Sequence, residues 1–178
     1  MATTDLHKYS VQEKLNKMDV DLIDVTIDLP NGATVAGDML FHPQKIEDAV
    51  AELGGKCMIQ SVALIIQDNS TEGSADGTVV QTIQLLFTSD SSNTNMDAVL
   101  DPAASGTAAT SLMNSFCGQV YVTNLIDAGR QSIGSAQNIG IIAKAADDSR
   151  DMYVWGMCHG VDNYNGGTLT LRVGVIKD

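Results

Sequence analysis

The chain is 178 residues long and 44% hydrophobic, with three prolines and three cysteines, a size that suits one domain folding without disulfides or a structural metal. Its 22 acidic against 10 basic side chains leave a formal charge of -12, which repels phosphate backbones and anionic headgroups and argues against nucleic acid and membrane surfaces as partners. Few aromatic residues, 16 glycines and apolar runs rich in branched side chains favour an all-β protein over a helical bundle.

Residues 1–19 are polar, with Leu6, Tyr9, Val11, Leu15 and Met18 at loose helical spacing; a short helix or an arm is expected there, ahead of one β-domain over 20–178. No basic stretch followed by an apolar one opens the sequence, so no secretory signal is expected. Ile23, Val25, Ile27 and Leu29 alternate with polar residues, the period-two pattern of a half-buried strand. Pro30-Asn31-Gly32 reads as a turn, and 34–41 resumes extended structure, which predicts a hairpin. Pro43 can open a helix, Ile46, Ala49, Val50 and Leu53 share one side, and Gly54-Gly55 ends it; one helix of about three turns is predicted. Residues 57–67 (CMIQSVALIIQ) read as a core strand. A polar loop spans 68–77. Residues 79–88 return to strand, with Ile83, Leu85 and Phe87 on one face, and 89–110 form a long irregular segment of the kind that makes contacts or moves. Four more strands are expected at 119–125, 138–146, 152–159 and 168–176, with turns at 147–151 and 163–167. The sum is about eight strands and one short helix, a single-domain β-sandwich or jelly roll with an N-terminal arm. The longest aliphatic runs, such as 62–66, hold about five residues against the roughly 20 that cross a bilayer.

Chemistry is sparsely signalled. His7, His42 and His159 are the only imidazoles, and Ser132, in Gly-Arg-Gln-Ser-Ile-Gly, misses the nucleophile-elbow spacing by one residue. Cys57, Cys117 and Cys158 are odd in number and lie in apolar runs, so buried free thiols are expected. Cys158 and His159 are adjacent in a strand, point to opposite faces, and cannot chelate one metal together. Asp68, Glu72 and Asp76, or Asp147, Asp148 and Asp151, could offer oxygen to calcium but lack EF-hand spacing; solvated turn carboxylates are the plainer reading. Gly73 to Gly77 lacks the Gly-Lys-Ser/Thr ending of a phosphate loop. Asn69-Ser70-Thr71 fits a glycosylation sequon but carries no weight without export. Tyr153 and Trp155 share a strand face and could stack on a sugar or pack into the core; core is expected for Trp155. No catalytic residue, cofactor or metal ligand is nominated, and the protein is read as no enzyme.

The order of blocks carries a further signal. Phe41-His-Pro-Gln, Met58-Ile-Gln-Ser-Val, Ile83-Gln-Leu-Leu-Phe, Asn138-Ile-Gly-Ile-Ile-Ala-Lys-Ala-Ala, Met152-Tyr-Val-Trp-Gly-Met-Cys-His-Gly and the closing Leu169-Thr-Leu-Arg-Val-Gly-Val-Ile-Lys-Asp resemble, over about residues 40–178, the capsid decoration or cement proteins of tailed bacteriophages. The resemblance implies a trimeric β-sandwich on the outer face of an icosahedral head, binding the major capsid protein and made in the host cytoplasm. Residues 1–19 are then the expected shell-contacting arm, and the loops 68–77 and 89–110 are longer than usual in that family. Two other readings stay open: a head- or tail-associated adhesin touching carbohydrate through its loops with Tyr153 or Trp155, and a small hydrolase or calcium-dependent enzyme.

Overall fold

The computed structural model describes residues 20–30, 33–34, 36–67, 82–91, 115–123, 125–127, 131–160, 162–163 and 166–177. Every element among them is a strand: β1 (Val20–Asp28), β2 (Ala33–Thr34), β3 (Met39–Ile46), β4 (Lys56–Gln67), β5 (Ile83–Thr88), β6 (Phe116–Val122), β7 (Ile126–Asp127), β8 (Gln131–Lys144), β9 (Met152–Cys158), β10 (Asp162–Asn163) and β11 (Thr168–Lys177). The eight longer strands form two antiparallel sheets of four, ordered β1-β11-β4-β8 and β3-β9-β5-β6; β7 extends the first at β8, and β2 pairs with β10 apart from both. Successive long strands switch sheets at almost every connection. The result is the double-sheet jelly roll, the expected all-β class.

Alternation along each strand builds the core. In β1, Val25 stands in register beside Leu171, Leu64 and Gly134, while Ile27 stands beside Leu169, Ile66 and Ser132. Facing them, Ile83, Leu85 and Phe87 of β5 are fully buried, as their spacing predicts, with Val154 and Cys158 of β9 in the same cluster. Burying each such side chain stabilises the fold by about 1.5–3 kcal/mol. The same alternation places Trp155 with Leu86 and Met157 in a second small cluster on the opposite face of the β3-β9-β5-β6 sheet.

Three expectations are corrected. The predicted helix after Pro43 is absent: residues 43–46 complete β3 and 47–53 are turns and bends. Ile46, Ala49 and Val50 are buried, but Leu53 is 66% exposed, so the four do not form one stripe. Asp48 takes φ 51, outside helical space, and its N–H donates to Asp151 Oδ1 at 2.9 Å. Val50 and Gly54 donate to the carbonyls of Arg150 and Ser149, so bonds to the 147–151 turn replace an intrahelical ladder. Pro43 sits within the register irregularity between Phe41 and Gln44, where its missing N–H costs no ladder bond.

The hairpin across Pro30 does not form either. β1 pairs with β11, and the chain beyond Pro30 leaves for the other sheet. Leu29 N–H donates to the Gly167 carbonyl and Gly166 N–H to that of Pro30, so the bend is fastened to the segment before β11. The third correction lengthens a strand: β8 begins at Gln131 rather than near 138. It contains a bulge in which Asn138 and Gly140 adopt φ 56 and φ 67, between the pairs Ile59–Ile141 and Ser61–Gln137. The bulge reverses the in–out phase, turning Ile141 and Ala143 inward and Ile142 outward.

Candidate functional site

The residues considered for catalysis do not converge. His42 is exposed on β3. His159 follows β9, its Nε2 2.7 Å from Gln84 Oε1 and its ring edge-on to Tyr121 at 5.4 Å. Gln84 Nε2 donates onward to Gln119 Oε1 at 2.6 Å, so His159 is held by a chain of amides rather than by a carboxylate. Ser132 is 1% exposed on the inner face, and its hydroxyl has no hydrogen-bond partner; no base activates it. His7, Asp68, Glu72, Asp76, the 73–77 glycine loop and the 69–71 sequon lie outside the described residues.

Of the turn carboxylates, Asp147 and Asp151 are engaged with cations. Asp147 accepts from Lys144 Nζ at 2.6 Å, which holds its carboxyl below the ordinary range. Asp151 lies 3.5 Å from Lys45 Nζ, and Arg150 pairs with Asp48 at 2.7 Å. Among the described residues no group of three His, Cys, Asp or Glu side chains could hold a metal ion, and no helix is long and apolar enough to cross a membrane. None of the three cysteines is in a disulfide, and the Cys158 thiol donates to the Asp38 carbonyl at 3.3 Å. Burial, then the neighbouring Cys117, pushes the Cys57 thiol up to about 11, and burial also raises Cys117. Such thiols are poor nucleophiles at neutral pH.

Trp155 is fully buried, which removes it as a sugar platform; Tyr153 is half-buried beside a polar cleft of about 460 Å³ shared with Asp90 and Asp148.

The surface that stands out is the outer face of the β1-β11-β4-β8-β7 sheet. Nine large hydrophobic side chains are exposed among the described residues, and six of them, Val20, Leu22, Ile65, Ile126, Ile133 and Ile142, belong to this face. Register arranges them in rows. Val20, Ile176, Met58 and Ile142 are consecutive neighbours across four strands, and Ile65, Ile133 and Ile126 form a second row across β4, β8 and β7. Between the rows, Arg172 grips Asp24 with two 2.7 Å bonds, holding the Asp24 carboxyl below its ordinary value. Two exposed apolar rows on one sheet face, divided by an ion pair, make this face the candidate contact surface among the described residues.

This surface was not read from the sequence, though a signal exists. Ile65 stands between Leu64 and Ile66, and Ile142 directly follows Ile141; adjacent branched residues in an alternating strand must occupy both faces.

No sequence family matches the chain, and no curated protein matches it. Among solved structures it is similar to a chain of tomato aspermy virus, with a TM-score of 0.36 and 8% identity over 89% of this chain and 78% of that one. It is also similar to a chain of Desmodium yellow mottle tymovirus, with a TM-score of 0.24 and 10% identity over 88% of this chain and 80% of that one. Superpositions this loose assign neither function nor partner.

Proposed function

We propose that this chain is a virion structural protein of a tailed bacteriophage, a decoration or cement protein that sits on the outside of the major capsid shell and stabilises it. The observation that carries the reading is a jelly roll with aliphatic side chains between its sheets and large aliphatics exposed on an outer face. Jelly rolls serve as capsid domains, lectins and cupins, and fold alone does not choose among them. Here the chemistry-bearing residues are dispersed, whereas six of the exposed large aliphatics share one sheet face. The block order over residues 40–178 supports the same reading.

A cement protein adds interface that exists only in the assembled particle, so it stabilises the shell by mass action and by avidity across many copies. A closed homotrimer, residues 1–19 as an arm, and the 68–77 and 89–110 segments are the parts assigned to shell and neighbour contact. The -12 charge disfavours direct contact with packaged nucleic acid.

Densitometry of purified particles tests the proposal. A copy number comparable with the major capsid protein, and heads that release DNA at lower temperature without it, are expected; a handful of copies or none overturns it. A handful of copies is the adhesin outcome, for which the favouring feature is exposed Tyr121 against His159, with the Gln84 and Gln119 amides beside it.

A further inference from the structure

The outer face of the β3-β9-β5-β6 sheet is buried, although a two-layer sandwich leaves such a face to solvent. Gln84, Leu86 and Thr88 of β5 and Trp155 and Met157 of β9 alternate with the core residues of their strands, so they point away from the core, yet none is more than 7% exposed. The other sheet lies against the opposite side. Met39 of β3 is the hydrophobic neighbour of the Leu86, Trp155 and Met157 cluster among the described residues, and it belongs to the same sheet. The burial is confined to the central strands: Tyr121 and Gln119 of β6, in register beside Gln84 and Leu86, are exposed. A strip two strands wide fits a length of polypeptide and not another sheet. One copy of the chain buries these side chains by itself, so the cover belongs to the same chain.

We infer that residues 92–114 pack over this strip as a third layer centred on Trp155. Both ends of the segment are fixed beside it. Thr88 Oγ1 joins the Trp155 indole to the Asp90 carbonyl, and Ser89 N–H donates to the Ser115 carbonyl at 2.8 Å, so the chain leaves and rejoins the sheet at one place. Length suffices, since half the segment, extended at about 3.3 Å per residue, reaches about 36 Å against the roughly 10 Å from β5 to β3. Composition suits the task as well: Met96, Val99 and Leu100 in the first half and Leu112 and Met113 in the second are apolar side chains that gain from burial on an apolar strip. Two other long stretches fit less well. Residues 68–81 hold only Val79 and Val80 as large apolar residues and join β5 at its far end, where Thr82 accepts from His159 N–H. Residues 1–19 lead into β1, at the edge of the other sheet. The inference does not rest on the virion reading; it leaves for shell contact only the side of the segment turned away from the sheet.

Trp155 is the only tryptophan, so its emission and its quenching by acrylamide read the cover directly. Replacing 92–114 by a short glycine-serine linker is expected to move the emission to longer wavelength and to raise the quenching constant severalfold, with the circular dichroism still that of a β-protein. Leu100→Lys and Leu112→Lys, which keep the segment's length, are expected to raise quenching to a smaller extent and to lower the urea midpoint, neither of which follows for side chains already in water. Unchanged quenching in both lysine variants overturns the inference, and so does a Trp155 exposed by replacing 68–81 or deleting 1–19 instead. Copy number on heads is read separately, so either proposal can fail without the other.

Discussion

Trp155 Nε1 donates to Thr88 Oγ1 at 2.9 Å from the neighbouring strand, and Thr88 Oγ1 donates in turn to the Asp90 carbonyl at 2.9 Å. Both side chains are fully buried. The indole N–H thus depends on one hydroxyl, and that hydroxyl ties the end of β5 to the chain beyond it. Thr88→Val leaves a buried donor unpaired at a cost of about 1–3 kcal/mol, and Thr88→Ser costs less. As Trp155 is the only tryptophan, urea titration followed by its emission reads the site directly.

Gly156 faces the Phe41 ring so closely that an added Cβ would stand within it. Gly156→Ala forces Phe41, 5% exposed, off its packing position and is expected to cost about 1–3 kcal/mol. Adding Phe41→Leu should recover part of that loss, so a double-mutant cycle shows coupling; simple additivity would place the strain elsewhere.

Ser132 buries a hydroxyl without a partner. Ser132→Ala removes that polar group from among aliphatic neighbours and is expected to raise stability by about 1 kcal/mol, seen as a higher urea midpoint at unchanged slope.

The Cys57 thiol, raised from 9.0 to about 11 by burial and then by Cys117, keeps its proton in the folded chain where the unfolded chain has lost it. The folded state binds more protons between those values, so its stability is intact below pH 9 and falls as pH rises toward 11. Cys57→Ala should flatten the urea midpoint over that window. At pH 8 the folded protein should label first at half-buried Cys117, with Cys57 and Cys158 reacting only on unfolding; rapid labelling of all three contradicts the assigned burial.

The strands legible in the sequence are those whose two faces differ in polarity. β1, β4 and β11 alternate, and their neighbours in the sheet alternate in register with them, so period and packing agree. The first half of β8 was hidden because Gln131, Ser132, Gly134, Ser135 and Gln137 offer almost no apolar signal; the sheet places them, with Gly134 leaving room for Val122 and Leu125. Residues 43–53 carried a helical stripe, but long-range bonds to the 147–151 turn outweighed that local preference. The rows on the outer face are properties of register between strands up to 156 residues apart, which no window along one chain contains.

β1 and β11 are adjacent throughout, from Val20 beside Ile176 to Asp28 beside Thr168, and Lys177 reaches Asp21 at 2.6 Å. During synthesis, β1 therefore leaves the ribosome with no sheet neighbour and waits for one made roughly 150 residues later, a loop closure that slows folding. Until then its hydrophobic edge is open to other nascent chains, and truncation anywhere before β11 leaves the first strand permanently unpaired.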